Sequence, residues 1–268
     1  MVRVAVAGVA GRMGSRIAQL GSEHEDIELV GGFEHPRHPK VGRDLSEIVG
    51  GTTSGRTVAG KMEEVLDGAD VVIDFTSAAT SLGHMQLAAA AGKPMVIGST
   101  GFSAEQMTQA RQLAAQFPCV LAPNMSVGVN VLFKVVADVA RLLGDDFDIE
   151  IVEAHHRFKK DAPSGTAVKL AEVIARSLGR SLDEVGVYAR HGLIGERNGK
   201  EIGVQTLRGG DIVGEHTILF AGMGERIELT HRAHSRDNFA RGAILAARWI
   251  VRQPPGLYDM QSVLGIKD

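Results

Sequence analysis

The sequence has a single cysteine, no long apolar run and no long block of charge of one sign. One thiol, Cys119, cannot form an intrachain disulfide, which favours a reducing compartment and a cytoplasmic location. No apolar stretch approaches the ~20 residues that a membrane helix needs, and the opening MVRVAVAG lacks the pattern of a cleaved signal peptide. With a net charge of −3, we expect no binding to nucleic acid or to a membrane surface.

The remaining composition is that of a globular protein. Hydrophobic residues make up 44% of the 268 residues and charged residues 23%, so the chain can bury a core. The length corresponds to one large or two modest domains.

The first half alternates short β-branched runs with helical patterns. This alternation predicts a Rossmann-like, doubly wound parallel sheet in an α/β domain. The predicted strands are Val2–Gly8, Ile27–Glu34, Asp70–Thr76, Met95–Gly98 and Val120–Ala122, and the predicted helices are Arg12–Ser22, Ala78–Ala91 and Ser103–Gln116. The segment Glu34–Lys61 is predicted to be an irregular loop.

The second half has a different pattern, which predicts an α+β domain with an open mixed sheet. Helices are expected at Gly128–Leu143, Thr166–Leu178 and Asp237–Val251, and a strand at Ile149–Ala154. Three period-two segments separated by Gly-rich turns are predicted as antiparallel strands: Ile202–Arg208, Ile212–Ala221 and Arg226–Arg232. We expect residues 1–126 and 237–268 to bind a dinucleotide, and residues 127–236 to bind substrate and form the oligomer.

A glycine-rich turn follows the first predicted strand. Gly8, Gly11 and Gly14 form a GxxGxxG variant of the dinucleotide fingerprint, in which the backbone and the helix N-terminus approach a pyrophosphate. Arg12 adds a cation. Glu34 ends the second strand about 20 residues after the last glycine, where a carboxylate can bind the adenosine ribose hydroxyls. The turn alone could also be a tight connection that binds nothing.

The choice between NADH and NADPH is open from these residues. Glu34 would repel a 2′-phosphate, whereas the basic residues after it, His35, Arg37, His38 and Lys40, could attract one or simply form a solvated loop. Two later loops lie at predicted strand ends, where they could hold the nicotinamide, and their turn chemistry also has a purely structural explanation. They contain Gly98, Ser99, Thr100 and Gly101, and Ala122, Pro123, Asn124 and Met125.

The densest polar segment is EAHHRFKKDAPSGTA, Glu153 to Ala167. It brings five potential cations, His155, His156, Arg157, Lys159 and Lys160, in front of a predicted helix. Ser164 is a good N-cap, and Gly165 and Thr166 offer N–H groups to an anion. Cations at a helix start describe a carboxylate or phosphate pocket, and a histidine and a lysine can supply protons. A solvated basic loop is the alternative, and the spacing does not suit a zinc site.

Together these segments resemble the 4-hydroxy-tetrahydrodipicolinate reductase family, also called the dihydrodipicolinate reductases. The matching stretches are VAVAGVAGRMG, DVVIDFT, MVIGSTGF, APNMSVGVN, EAHHRFKKDAPSGTA and GDIVGEHT. The resemblance implies an NAD(P)H-dependent oxidoreductase of the diaminopimelate route to lysine, which reduces a cyclic imine dicarboxylate with loss of water. It also implies a homotetramer built through the C-terminal sheets.

The resemblance further implies a role for each matching residue. His155 resembles the proton donor and acceptor, and Lys159 the proton donor. The substrate-carboxylate contacts correspond to His156, Lys159, Gly165 and Thr166. The cofactor contacts correspond to Gly8, Val9, Ala10, Gly11, Arg12, Met13 and Glu34, and on the nicotinamide side to Gly98, Ser99, Thr100, Ala122, Pro123, Asn124 and Met125. Many members have arginine in place of His35, which leaves the use of NADPH open.

Two other functions would account for part of these features. A reductase such as aspartate-semialdehyde dehydrogenase needs a nucleophilic cysteine, but Cys119 begins an apolar strand and is predicted to lie in the core. A dinucleotide-sensing protein without activity would keep the glycine turn and would not need His155 or Lys159.

Overall fold

The computed structural model describes residues 1–50 and 54–266, which divide into two compact units. The first unit comprises the residues up to Val127 and those from Asp237 onward, and the second runs from Gly128 to Arg236. The described strands are β1 (Val2–Ala7), β2 (Ile27–Phe33), β3 (Val71–Asp74), β4 (Met95–Ile97), β5 (Pro118–Leu121), β6 (Asp148–His155), β7 (Gly186–Val187), β8 (Ile202–Arg208), β9 (Gly214–Ala221), β10 (Arg226–Ala233) and β11 (Gly256–Tyr258). The described helices are α1 (Arg12–Ser22), α2 (Ser46–Val49), α3 (Glu63–Leu66), α4 (Ala78–Ala91), α5 (Ala104–Ala114), α6 (Val127–Leu143), α7 (Gly165–Ser177), α8 (Leu182–Val185), α9 (Asp237–Ile250) and α10 (Met260–Val263).

The first unit contains a parallel sheet in the order β2-β1-β3-β4-β5-β11. The order changes direction at β1, because β2 lies on one side of it and β3 on the other. Ligands of open α/β sheets bind outside the carboxyl ends of the strands at such a switch point. The prediction of a doubly wound parallel sheet is confirmed.

Both faces of this sheet are covered by helices, which explains why its strands are continuously apolar. Val4 and Val6 face a core shared with α1 and α9, whereas Ala5 and Ala7 face a core shared with α4 and α5. The helix ends follow from local chemistry. Ser77 accepts from the Thr80 N–H to cap α4, and Ser103 forms a capping box with Gln106 at α5.

The second unit contains a mixed sheet in the order β10-β9-β6-β8-β7. Ile149 and Ile151 of β6 pack with Val204 of β8 in a core. Helix α6 adds Val136 to this core, and α7 adds Leu170. The predicted mixed sheet is therefore present.

The prediction that Ile202–Arg208 is antiparallel to its neighbours is wrong. This strand, β8, runs parallel to both β6 and β7, while β9 is antiparallel to β6 and β10. Because β6 lies between β8 and β9, the turn at Gly209–Asp211 joins strands that flank β6 and does not close a hairpin. Period-two alternation indicates only that one face of a strand is buried. Parallel and antiparallel strands show the same alternation, so it does not predict strand direction.

The shortest strands and helices were not predicted from the sequence. Strand β11 and helices α2, α3, α8 and α10 have only three or four residues, too few for a visible period. Helix α2 lies within Glu34–Lys61, which was predicted to be irregular throughout. Residues 51–53 of that segment, and residues 267–268 of the predicted dinucleotide-binding domain, lie outside the described residues.

Candidate functional sites in the two units

The glycine turn lies at the carboxyl end of β1, where the sheet order changes direction. Gly8 has a φ of +61°, and its N–H donates to the Phe33 carbonyl at 2.9 Å. Gly11 is the N-cap of α1, and no side chain of the described residues caps that helix. The free N–H groups of an uncapped helix terminus suit an anion, so these residues fit the pyrophosphate of a dinucleotide.

The three glycines are needed for different reasons. A Cβ on Gly14 would lie 2.0 Å from the Gly8 carbonyl oxygen, so Gly14 lets α1 pack against the turn. A Cβ on Gly8 would approach the Thr76 methyl at 3.1 Å, in a backbone region that favours glycine. Val9 is fully buried and packs against Gly32, so its side chain is not available to a ligand.

Glu34 lies against the glycine turn, as a ribose-binding acid must. Its Oε1 accepts a hydrogen bond from the Ala10 N–H at 2.8 Å. His35 is exposed, and its Nδ1 accepts from the Arg37 N–H at 3.3 Å. Lys40 is paired with Glu47 at 2.9 Å, so part of its charge is already neutralised.

The two predicted nicotinamide loops follow the adjacent strands β4 and β5. The Gly98 N–H donates to the Asp74 carbonyl at 2.9 Å, and the Ala122 N–H donates to the Ile97 carbonyl at 3.0 Å. The side chains of Ser99, Ala122 and Met125 are buried. Of the other predicted contacts in these loops, Thr100 and Pro123 are exposed.

A buried polar network supports these loops and was not predicted. The fully buried Asp74, at the end of β3, accepts from the Thr76 hydroxyl at 2.6 Å and pairs with His84 Nδ1 at 2.7 Å. Ser81 then bonds the Ser99 hydroxyl at 2.8 Å. The acid at the end of the apolar run VVID was the available signal, since buried carboxylates need dedicated partners.

The second unit gathers its polar residues around the Glu153 carboxylate, which is fully buried in β6. Its Oε2 accepts from His155 Nδ1 at 2.6 Å, and its Oε1 accepts from the Ser164 N–H at 2.9 Å. Arg208 binds both oxygens at 2.8 Å, and the Thr206 hydroxyl donates to Oε1 at 3.2 Å. Burial raises the pKa of Glu153, but the bonds from His155, Arg208 and Ser164 outweigh it and hold the pKa well below its ordinary value.

His216 closes the other side of this cluster. Its Nε2 lies 3.1 Å from the Ser164 hydroxyl, which caps α7 by accepting from the Ala167 N–H. Its ring stacks edge-to-face on His155 at 5.2 Å between centroids. Burial, and then the neighbouring His155, lower the pKa of His216 to about 3, so it is neutral at physiological pH.

The rest of the predicted substrate segment surrounds the start of α7. Lys159 Nζ pairs with Asp161 Oδ2 at 2.9 Å, and the Asp161 carbonyl accepts from Arg208 at 2.7 Å. No described atom lies within 4 Å of a Cβ built on Gly165, so the helix start faces open space. His156 Nδ1 is buried without a partner among the described residues.

The sequence analysis missed Glu153, Arg208 and His216 as parts of this cluster. Glu153 occupies the same strand phase as the core residues Ile149 and Ile151, and His216 the same phase as Ile218. A charged or polar residue where alternation calls for an apolar one was the signal. The structure thus brings the predicted catalytic and substrate residues together in the second unit, and the predicted cofactor residues in the first.

An open cleft lies at the amino ends of the strands of the first sheet, opposite the glycine turn, but it is a poor alternative as a ligand site. It is lined by residues including Asp70, Lys93 and Arg252. Asp70 is already paired with Arg3, and Lys93 donates to the Asp67 and Ala69 carbonyls. The charges of Asp70 and Lys93 are therefore already paired or hydrogen-bonded within the fold.

Cys119 lies in the core, as predicted. It is fully buried in β5, and burial raises the pKa of its thiol. A buried protonated thiol cannot act as a nucleophile, which argues against chemistry that depends on cysteine.

Comparison with known proteins covers the whole chain. Residues 2–125 match the family model described as dihydrodipicolinate reductase, N-terminus, and residues 128–264 match the model for its C-terminus. A 4-hydroxy-tetrahydrodipicolinate reductase of Syntrophobacter fumaroxidans is 69% identical over 100% of both chains, and one of Syntrophus aciditrophicus is 58% identical over the same share. A solved dipicolinate-bound dihydrodipicolinate reductase of Paenisporosarcina sp. TG-14 is 28% identical, with a TM-score of 0.74 over 97% of each chain. The chain belongs to the dihydrodipicolinate reductase family.

Proposed function

We propose that this chain is a 4-hydroxy-tetrahydrodipicolinate reductase of lysine biosynthesis by the diaminopimelate route. It reduces 4-hydroxy-tetrahydrodipicolinate to tetrahydrodipicolinate, with loss of water, at the expense of NADH or NADPH. The observation that carries the proposal is the Glu153 carboxylate, which holds a histidine ring and the start of an anion-binding helix at one point. The relatives that match over the full length carry the same name.

The substrate is a ring with two carboxylates, and α7 offers a place for one of them. The Ser164 side chain caps the helix, and the N–H groups of Gly165 and Thr166 lie in its first turn, where the helix dipole favours an anion. Lys159 and His156, from the loop that precedes α7, are the further donors that we assign to the substrate carboxylates. The dipicolinate named in the solved relative is likewise a ring dicarboxylate.

The protein must also supply a proton. NADH or NADPH supplies the hydride when bound at the glycine turn and Glu34. After water has left from C4, hydride addition at C4 of the conjugated imine leaves an electron pair spread over C5 and the ring nitrogen. A proton taken up at C5 restores the imine, so one hydride and one proton balance the step.

We assign the transfer of that proton to two side chains. Lys159 Nζ, which pairs with Asp161 Oδ2 at 2.9 Å, is the proposed proton donor. His155 has its Nδ1 bound to Glu153, so its Nε2 is the ring atom that exchanges protons with the substrate. The positive charge of Lys159 also stabilises the electron density that builds on the ring.

The proposal also covers the choice of cofactor, the oligomeric state and the cellular compartment. Glu34 favours NADH, and the exposed His35 and Arg37 leave room for NADPH as well. We expect a homotetramer in the cytoplasm, which size-exclusion chromatography with light scattering and cell fractionation would test. No described helix is long and apolar enough to cross a membrane.

The decisive experiment follows the absorbance of NADH and of NADPH in separate assays. The substrate is made fresh from pyruvate and aspartate semialdehyde by the preceding enzyme. Substrate-dependent oxidation supports the proposal, and the two kcat/KM values give the cofactor preference. Folded protein that binds dinucleotide but oxidises neither cofactor would overturn it.

A further inference from the structure

Glu153 stands apart from the other acids of the second unit because a charge is fully buried where the strand pattern calls for an apolar residue. A buried carboxylate costs several kcal/mol unless its partners satisfy it. Here all of its acceptor positions are used, by a ring nitrogen, a backbone N–H, a hydroxyl and a bidentate guanidinium. Because buried ion pairs can often be replaced by apolar residues without loss of stability, the role of this carboxylate is sought in the reaction.

The bond to His155 fixes which ring nitrogen carries the proton. A carboxylate can only accept, so His155 Nδ1 must be the donor in their 2.6 Å bond. The neutral ring then has a free lone pair on Nε2. The ring is also held in place by His216 on one side and by Gly214, where a Cβ would lie 3.0 Å from Nε2.

The same carboxylate also holds the start of α7. Its Oε1 accepts from the Ser164 N–H at 2.9 Å, one residue before the helix begins. Arg208 extends the connection to the loop that carries Lys159, because it binds Glu153 and the Asp161 carbonyl at once. One buried group therefore binds His155 and the start of α7 directly, and it is linked to the loop of Lys159 through Arg208.

We propose that Glu153 is the positioning residue of the reaction, which holds His155 in its Nδ1–H tautomer and in register with the substrate-binding start of α7. The inference rests on the proposed function for its link to turnover. The tautomer itself is a property of the chain that can be measured without any substrate.

Glu153→Gln is the sharpest perturbation because it keeps the shape, removes the charge and turns one acceptor oxygen into an NH₂ donor. Three donors converge on Oε1, from Ser164, Thr206 and Arg208, so the amide oxygen takes that position. The amide NH₂ group then falls on the Oε2 side, where it faces His155 Nδ1 and replaces the oxygen that accepts from Arg208 Nη1. A donor there forces Nδ1 to accept, and the His155 ring must change to the Nε2–H tautomer.

The test uses the full chain labelled with ¹⁵N-histidine and long-range proton–nitrogen correlation spectra, recorded where the imidazole is neutral. A His155→Gln variant assigns the resonance. We expect wild-type His155 as the Nδ1–H tautomer and Glu153→Gln as the Nε2–H tautomer. We also expect kcat to fall by about 10²-fold or more, the scale of a positioned acid or base, with KM for NADH within about twofold.

Glu150→Gln is the matched control, three residues earlier on the same strand. Glu150 also binds an arginine through both oxygens, Arg190 at 2.9 Å, but among the described residues it forms no hydrogen bond or ion pair with His155. We expect a loss of stability without a change in the His155 tautomer or in kcat.

Several results would overturn the inference. An Nε2–H tautomer in the wild type would do so without any variant, even if Glu153→Gln failed to fold. An unchanged tautomer or an unchanged kcat in folded Glu153→Gln would do the same. A wild type that shows the Nδ1–H tautomer but no turnover would instead contradict the proposed function.

Discussion

Replacing Gly165 by alanine should make the protein more stable and a poorer enzyme. Gly165 is the first residue of α7, its φ is not positive, and no described atom lies within 4 Å of the added methyl. Alanine in a helix is favoured over glycine by roughly 0.5–1 kcal/mol. For a chain of this size we expect the melting temperature to rise by about 1–4 °C.

The loss of activity is expected because the added methyl group occupies the open space at the start of α7. If a substrate carboxylate approaches the helix start, the methyl group displaces it from the N–H groups of the first turn. A lost hydrogen bond to a charged group costs about 1.5–3 kcal/mol. This corresponds to a KM for the substrate that rises about 10- to 150-fold, while KM for NADH stays the same.

Gly83→Ala separates the two effects. Gly83 lies within α4 of the first unit, is exposed, and likewise has no described atom within 4 Å of an added Cβ. It should gain stability and keep both KM values. Calorimetry and steady-state kinetics on the three proteins are sufficient. A Gly165→Ala enzyme with an unchanged substrate KM would refute the placement of the carboxylate at α7.

Three further predictions follow from single side chains. Lys159→Ala should lower kcat by at least about 10²-fold, whereas the exposed Lys169→Ala should not, and equal rates in steady-state assays would exclude Lys159 as the proton donor. Glu34→Ala should raise the Kd for NADH more than that for NADPH in fluorescence titrations, and unchanged NADH binding would contradict the ribose contact. His216 has a folded pKa of about 3 against 6.5 unfolded, so the unfolded chain binds the extra proton and stability falls as pH drops from about 6.5 towards 3. His216→Gln should reduce that slope by up to ~1.4 kcal/mol per pH unit in urea unfolding, and identical slopes would count against a buried neutral ring.

Much of the first unit could be predicted because its signals are local. The run VRVAVA, the glycine turn and the helix after it form within about 20 consecutive residues, and each carries its own backbone requirement. The spacing likewise predicted that Glu34 lies near the glycine turn, and its Oε1 accepts from the Ala10 N–H at 2.8 Å, while its role in ribose binding stays a prediction.

The polar segment of the second unit was also visible in the sequence, but its organisation was not. His155 and Ser164 stand in one motif, and a pattern shows that they are close in sequence. It does not show that one carboxylate binds both of them. In the sequence, their shared partner Glu153 is simply a residue of the preceding strand.

The sequence by itself thus determined the alternation of strands and helices, the glycine turn and the presence of a histidine, a lysine and a helix start in one segment. The tertiary structure decided that β8 is parallel to β6, and that Thr206 and Arg208 therefore reach Glu153 across 53 and 55 residues. It likewise brought His216 to Ser164 across 52 residues. The physical reason is that strand register and direction depend on hydrogen bonds between distant segments, and alternation within one strand does not encode them.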